Sequence, residues 1–594
     1  MHLFALPPEL YFLILSFLIP KEQVFLACTS RFAQYITEDA LYRSDGRSEN
    51  PVALLWAARK GEIRTAEMAI AALKKKCSSH WVDCECRFRM LLNKSLYQSS
   101  AGGYACIVRL LLDKSADPDA QIGRFGTALQ AASVYGREKV VQLLLERNAS
   151  VNLHDGRFAA ALQLASASGH EKITQLLTDR NADVDAQGGG FATPLQASAA
   201  NGHGKIVRLL LHKGANINAR GRGYGTALQA AAAQGHENIV RILLDRHPDL
   251  DAQDEKFATA LQLASSKGHD RIVALLLHHG ANVNAQNRRF PTALQLASLH
   301  GHGGIITLLI NKKADVNANG AGYATALQLA SLHGHESIVN YLISKGADLN
   351  ARCGGHPTSL QVASANGHER IVQLLAEGGA DINAHCAWYT TALHVASTKG
   401  YKTIVQCLLD NNADVNAQSE WFATALQAAS ANGHEEIVQL LISKGADVNA
   451  QGGGIPTALQ IASLHGHDKV VELLLNSGSD VDAQDKRFAA ALIMASSAGH
   501  GSIAELLRDY GADTDTQGQG HATVLHLASS KGHEKVVRTL LRRNVDVQLR
   551  DTGCATALQR ASLYGHEKSV RRLPHKSVDG NAQGRVRSEA SQLE

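Results

Sequence analysis

The sequence predicts an all-α solenoid of about sixteen helix-turn-helix repeats. Leu129, in Thr127-Ala128-Leu129-Gln130, is followed by an equivalent leucine every 33 residues as far as Leu558, without insertion or deletion. Each unit contains two short segments with helical apolar spacing, and 594 residues are too many for a single hydrophobic core. A fixed period of this length is typical of arrays in which each unit packs on its neighbours.

The unit around Leu261 shows how each element is predicted. A first helix runs from about Thr259 to Lys267, and its alanines and leucines are compact enough to let helices approach closely. Gly268-His269 then turns the chain, and Gly280 stands where a left-handed residue ends the second helix. The second helix carries apolar residues at helical spacing: Ile272, Val273, Leu275, Leu276 and Leu277.

The array has divergent units at its start and a polar tail at its end. Leu96 lies one 33-residue step before Leu129, but Leu54 lies 42 residues before Leu96, so nine extra residues fall between these two units. We therefore expect a solenoid over residues 51–577, divergent to about 121 and regular over 122–577. Pro574 falls within the last expected helix, and residues 578–594 read as a disordered tail.

Composition predicts an intracellular protein that binds neither membranes nor nucleic acids directly. The net charge is +4, from 59 basic and 55 acidic side chains, so the whole chain has no strong attraction for polyanions. The nine cysteines are scattered, as reduced thiols are in intracellular proteins. The apolar run from Leu10 to Ile19 is too short to span a bilayer. We expect the protein in the cytoplasm, the nucleus or both.

No catalytic motif, metal site or cofactor site is predicted. Cys77, His80, Cys84 and Cys86 lack the paired spacing of zinc knuckles, which favours a solvent loop with incidental thiols. A Gly-His pair recurs once per unit, which places its histidines too far apart to share a metal and favours a hydrogen-bonding role at the helix turn. These histidines are His170, His203, His236, His269, His302, His335, His368, His434, His467, His500, His533 and His566.

The repeat resembles the ankyrin repeat in Thr259-Ala260-Leu261-Gln262, in Gly268-His269 and in Gly280-Ala281-Asn282-Val283-Asn284. The resemblance implies helix pairs joined by β-hairpin connections and a non-catalytic protein that binds other proteins. Alanine usually replaces the proline of the signature, which Pro194 keeps. Glutamine usually replaces its histidine, and because glutamine both donates and accepts, we expect the hydrogen bonds between repeats to persist.

The N-terminal segment does not fit the repeat. Leu6-Pro7-Pro8-Glu9-Leu10 starts a helical segment over residues 1–47 that resembles the F-box, the module that docks onto the Skp-type linker of cullin–RING ubiquitin ligases. The alternative is a helical cap on the end of the solenoid. The resemblance implies these linker-binding residues: Leu6, Pro7, Glu9, Leu10, Ile14 and Leu18.

In ankyrin proteins, contacts with targets come mostly from hairpin tips and from the ends of the first helices. Trp388 and Trp421 occupy equivalent tips, where nothing in the repeat requires tryptophan. For the aromatic column to which Tyr389 and Phe422 belong, stacking between hairpins is the favoured alternative. The expected target-binding residues are Arg288, Arg289, His300, His333, Trp388, Tyr389, Trp421, Phe422 and His465.

Together these features predict a non-catalytic scaffold that binds other proteins. The leading hypothesis is a substrate adaptor, in which the solenoid selects a target and the F-box-like segment recruits a cullin–RING ligase. The alternative is a transcription coregulator or a general scaffold without a link to a ligase.

Overall fold

The computed structural model describes most of the repeat array. The described residues are 53–77, 83–153, 159–188, 192–221, 225–253, 258–287, 289–319, 324–352, 357–385, 391–418, 424–451, 456–483, 490–514, 523–542, 547–549 and 555–573. The F-box-like segment, the C-terminal tail and most hairpin tips therefore lie outside the described residues.

Within those ranges the chain forms sixteen consecutive helix pairs and no named strand, which confirms the predicted fold class. The two divergent pairs are α1 (Ala53–Lys60) with α2 (Ile63–Cys77) and α3 (Asp83–Gly102) with α4 (Ala105–Asp113). In the regular repeats, odd numbers denote first helices and even numbers denote second helices. They are α5 (Ala128–Val134), α6 (Glu138–Glu146), α7 (Ala161–Ser168), α8 (Glu171–Asp179), α9 (Pro194–Ala200), α10 (Gly204–His212), α11 (Ala227–Gln234), α12 (Glu237–Leu244), α13 (Ala260–Lys267), α14 (Asp270–His278), α15 (Ala293–His300), α16 (Gly303–Asn311), α17 (Ala326–His333), α18 (Glu336–Ser344), α19 (Ser359–Asn366), α20 (Glu369–Glu377), α21 (Ala392–Lys399), α22 (Lys402–Asp410), α23 (Ala425–Ala431), α24 (Glu435–Ser443), α25 (Ala458–His465), α26 (Asp468–Asn476), α27 (Ala491–Ala498), α28 (Gly501–Asp509), α29 (Val524–Ser530), α30 (Glu534–Leu541), α31 (Ala557–Leu563) and α32 (Glu567–Arg572).

The first helix of a repeat begins at a threonine and ends at a glycine. Thr259 Oγ1 accepts a hydrogen bond from the backbone N–H of Gln262, and the Gln262 side chain accepts one from the N–H of Thr259, 2.7 Å away. This reciprocal pair satisfies amides that a helix start leaves unbonded. Gly268 ends the helix with φ of 79°, a left-handed conformation in which any Cβ is strained. The helix predicted from Thr259 to Lys267 is thus confirmed.

The core lies between the helices of a repeat and those of its neighbours. Leu261 and Ala264 of α13 are buried, as are Ile272, Val273 and Leu276 of α14. Burying one such aliphatic side chain contributes about 1.5–3 kcal/mol, and each repeat contributes several. Leu275, predicted to belong to the same apolar face, is only half-buried.

The chain divides into two compact units. The first is formed by residues 1–297 and 307–314, and the second by residues 298–306 and 315–594. The boundary passes through α15 and α16. In each unit, every repeat packs on the repeats that precede and follow it within that unit.

The extra residues of the divergent repeats lengthen helices instead of forming a loop. α2 has 15 residues and α3 has 20, whereas the regular first helices have seven or eight. Cys84 and Cys86 lie in the first turn of α3, so their assignment to a solvent loop was wrong. No Gly or Pro lies within α3 before its last residue, Gly102, and helix continuation satisfies backbone groups that a loop would leave to water.

The last repeat is shortened at its C-terminus. α32 has six residues and ends at Arg572, and Leu573 is extended with ψ of 126°. Because a residue before proline is driven out of the helical region, the helix ends ahead of Pro574 and does not contain it.

Candidate protein-interaction surface

A glutamine in each first helix joins its repeat to the next one. The Nε2 of Gln328 donates to the carbonyl oxygens of Ala351, 3.0 Å away, and Pro357, 2.8 Å away. Gln229 makes the same pair of bonds to Ala252 and Ala258. The expectation that glutamine would replace the signature histidine without loss of hydrogen bonds between repeats is confirmed. These side chains are buried, so the bonds stabilise the spacing between repeats strongly.

The recurring histidine is a second link between repeats. The Nε2 of His368 lies 3.1 Å from the carbonyl oxygen of Leu332, at the end of the preceding first helix, and His500 is bonded in the same way to Leu464 at 3.1 Å. The ring also packs on the glycine of the preceding turn, because a Cβ on Gly334 would lie 2.8 Å from His368 Cε1. The predicted hydrogen-bonding role is confirmed, with the partner in the preceding repeat.

Exposed loops carry a third series of links. The Asn317 side-chain oxygen accepts from the N–H of Asp348, and the Asn350 side-chain oxygen accepts from the N–H of Asp381, both at 2.8 Å. The three series hold each first-helix end at a fixed distance from the next. Side chains at those ends are therefore presented on a rigid support.

The residues immediately before each Gly-His turn form a row that we call the helix-end surface. In the second unit it comprises residues 299–300, 332–333, 365–366, 398–399 (where the turn is Gly400-Tyr401), 431–432, 464–465, 497–498, 530–531 and 563–564. Leu332, Leu464 and Leu563 are 41%, 39% and 59% exposed, although the other leucines in the described first helices are buried or half-buried. An exposed leucine next to an exposed histidine, repeated on a rigid row, is suited to contact with another protein.

The exposed histidines of this surface are held by the helix beneath them. His333 Nδ1 lies 3.0 Å from the carbonyl oxygen of Leu329, and His465 Nδ1 lies 2.9 Å from that of Ile461. The His333 ring is stacked on that of His335, with centroids 6.1 Å apart. Each ring is thus fixed in orientation before any partner arrives, which reduces the entropy lost on binding.

Charge is segregated between the two helices of a repeat. None of the first helices α5 to α31 contains an Asp or Glu, whereas most second helices begin with one. Lys399 and Lys531 are exposed on the helix-end surface of the second unit. The surface is consequently neutral to basic along its length.

Only part of the predicted target site lies within the described residues. His300, His333 and His465 are exposed at first-helix ends, as expected from the repeat. Arg289 is exposed in the connection before α15, where its N–H donates to the Asn287 side-chain oxygen, 2.9 Å away. Arg288, Trp388, Tyr389, Trp421 and Phe422 lie outside the described residues, as do Leu6, Pro7, Glu9, Leu10, Ile14 and Leu18.

An aromatic cluster in the first unit adds two tyrosines, Tyr97 and Tyr135, that the sequence analysis did not single out. Tyr135 is 48% exposed and meets Phe125 edge-on, with ring centroids 5.8 Å apart. The Arg124 guanidinium lies 5.5 Å from the Phe125 ring centroid, and the Phe125 N–H donates to the Tyr97 hydroxyl. Tyr135 precedes its glycine as His333 does, so its position in the repeat was the available signal.

Burial raises the pKa of Tyr97 above its usual value, more than the backbone bond to Phe125 lowers it. The hydroxyl therefore stays protonated at neutral pH, and Tyr97 supports this cluster as a neutral side chain.

Among the described residues, no group of three or more His, Cys, Asp or Glu side chains is placed to hold a metal ion. The cysteine-rich segment between Cys77 and Cys86 is only partly described, and Cys86 is exposed. No described helix is long and apolar enough to cross a membrane.

The fold defines a repeat scaffold that presents a row of exposed side chains at its first-helix ends. A family model of ankyrin repeats in three copies matches residues 129–221, 221–287, 286–353, 354–419, 418–485 and 492–584. The chain belongs to the ankyrin-repeat family.

Among solved structures, the ankyrin repeat domain of human ASB11 is similar, with 25% sequence identity and a TM-score of 0.35. The match covers 37% of this chain and 99% of that one. No curated protein matches the chain.

Proposed function

We propose that this chain is a non-catalytic scaffold that holds a protein partner on its first-helix ends. The observation that carries the proposal is the pairing of Leu332 with His333 and of Leu464 with His465, exposed on helices that neighbouring repeats hold in place. Ankyrin repeats are protein-interaction modules, and rigid presentation of apolar side chains is the physical requirement for that work.

The hairpin tips extend this proposed site. Trp388 and Trp421 stand at equivalent positions of neighbouring repeats, and large aromatic side chains are frequent hot spots of binding. Replacing both with alanine should lower partner affinity by more than about tenfold without unfolding the chain. Unchanged binding in a folded double variant would remove the tips from the proposal.

The finer proposal is that the scaffold is a substrate adaptor of a cullin–RING ubiquitin ligase. It rests on the resemblance of Leu6-Pro7-Pro8-Glu9-Leu10 and the following apolar residues to the F-box. In this arrangement the N-terminal segment binds the Skp-type linker, and the solenoid supplies the target.

A binding measurement with the purified Skp-type linker protein tests the adaptor proposal. The full chain is compared with the Leu10→Glu/Leu18→Glu variant and with a chain that begins at Ser48. Binding by the full chain alone would support the adaptor. Absence of binding by the full chain would remove the ligase from the proposal and leave a coregulator or general scaffold.

A further inference from the structure

We infer that the helix-end surface of the second unit binds an acidic protein segment that also carries aliphatic or aromatic residues. The inference rests on the proposed function, since it specifies the partner of the same surface. It follows from which charges the surface has, where its exposed leucines lie, and how acidic residues at the starts of the second helices are already bonded.

The charges of the surface have one sign. From Leu332 to Lys531 the surface contains Lys399 and Lys531 as cations, His333 and His465 as imidazoles, and no carboxylate. These four residues recur at every second repeat, at a spacing of 66 residues. A cation at the end of a helix also interacts favourably with the helix dipole, which accounts for part of the preference for lysine. The dipole does not account for an exposed leucine in the same row.

The leucines provide apolar contacts on both sides of Lys399. Leu332 and Leu464 lie four repeats apart, with Lys399 at the end of the first helix midway between them. At a helix spacing of about 8–10 Å, four steps span about 30–40 Å. An extended segment of about 10–12 residues covers that length. A single linear peptide can therefore reach both leucines with its acidic residues facing Lys399.

Three of the acidic residues at the starts of the second helices are bonded to the following repeat. Glu435 pairs with Lys469 at 3.3 Å, and the Ser502 hydroxyl donates to Asp468 at 2.6 Å. Glu369 accepts a hydrogen bond from the Thr403 hydroxyl. Lys469 offsets the charge of Glu435, whereas Asp468 and Glu369 keep their charge and are held by hydroxyls on the second helices of the following repeats.

A protein segment fits this surface better than a nucleic acid does. Each strand of a DNA duplex presents one phosphate for about every 3.4 Å of helix axis. Lys399 and Lys531 lie four repeats apart, with an imidazole between them, so they would meet only a small fraction of the phosphates of a bound strand. Exposed leucines offer nothing to a phosphate backbone, whereas they suit apolar side chains of a peptide.

Selection from a random peptide library, with peptides of about 16 residues, tests the inference on the full-length protein. The selected peptides are then measured singly against the native chain, against Leu332→Ala/Leu464→Ala, and against Lys399→Glu/Lys531→Glu. Thermal melting monitored by circular dichroism shows whether the charge reversal unfolds the chain. If it does, the neutral variant Lys399→Gln/Lys531→Gln is used in its place. The matched control is Lys345→Glu/Lys444→Glu, with two exposed lysines at the far ends of second helices.

The inference expects acidic peptides whose affinity falls by about tenfold in the Lys399/Lys531 variants and is nearly unchanged in the control. Neutral or basic peptides that still require Leu332 and Leu464 would overturn the acidic partner and leave the proposed function standing. If a single-stranded oligonucleotide displaces the peptides, the acidic protein partner would be overturned and a nucleic acid would be the favoured partner. If the library yields no peptide, or only peptides that bind every variant of the surface equally well, the result would count against the acidic partner and against the proposed function.

Discussion

The Nε2 of His368 lies 3.1 Å from the carbonyl oxygen of Leu332, an exposed leucine of the helix-end surface. A residue of one repeat thereby fixes the position of a residue of the proposed binding surface in the repeat before it. The same relation joins His500 to Leu464. The stability of the scaffold and the shape of the surface therefore depend on the same contacts.

Gly334 and Gly346 allow the contact with His368 to be measured. Both have positive φ, 78° and 80°, but a Cβ on Gly334 would meet the His368 ring, whereas nothing lies within 4 Å of a Cβ on Gly346. We expect Gly346→Ala to cost about 1–2 kcal/mol from backbone strain alone, and Gly334→Ala to cost about 1–3 kcal/mol more. Urea unfolding compares the two, and equal costs would mean that the ring moves aside freely.

Gln328→Ala tests the link between repeats. The variant loses two bonds to the next repeat and the bond that Gln328 Oε1 accepts from the Thr325 N–H, and it leaves the carbonyls of the half-buried Ala351 and Pro357 without this donor. We expect a loss of about 2–4 kcal/mol. Hydrogen exchange should detect this loss of stability as faster exchange of the amides in α17 and α19. The exposed Gln373→Ala is the control and should change stability by less than about 0.5 kcal/mol. Exchange as slow as in the native chain would contradict the role of Gln328.

Ser331→Ala is expected to stabilise the protein by about 1 kcal/mol. The Ser331 side chain is fully buried, and its hydroxyl has no hydrogen-bond partner among the described residues. Ala199 and Ala232 occupy the same position of other repeats, so the fold accepts alanine there. Ser562 is the control, because it occupies this position in the last repeat, is exposed and donates to Leu558. A loss of stability in Ser331→Ala, measured by thermal unfolding, would contradict this prediction and show that the hydroxyl stabilises the folded protein.

Cys407 should react slowly with iodoacetamide at neutral pH. Burial and then the nearby carboxylates of Asp410 and Glu377 raise the pKa of its thiol, so less of the reactive thiolate is present. Cys106 is exposed and serves as the reference in the same protein. Mass spectrometry of the alkylated chain gives both rates, and Asp410→Asn should speed the reaction of Cys407. Equal rates for the two cysteines in the native chain would contradict this explanation.

The sequence predicted the scaffold well because its elements depend on local chemistry. The period of Leu261 and its equivalents places the helices, Thr259 and Gly268 mark the ends of one of them, and glutamine has the atoms to bridge repeats. The exposed histidines followed from their position in the repeat. None of these inferences required knowledge of a contact between distant residues.

What the sequence did not predict depends on packing between neighbouring repeats. Tyr135 meets Phe125 through side-chain conformations that spacing does not fix. The extended α3 uses extra residues that could equally have formed a loop, because no Gly or Pro marks the choice. The unpartnered hydroxyl of Ser331 is visible only when its buried surroundings are known.

The central claim is that protein partners bind at the first-helix ends, and site-specific photo-crosslinking in cells tests it most directly. A photoreactive residue is placed in the full chain at His333, at His465 or, as the control, at Lys345. We expect crosslinks to the same partner protein from His333 and His465 and none from Lys345. Crosslinks from Lys345 alone, or from none of the three in a folded chain, would contradict it.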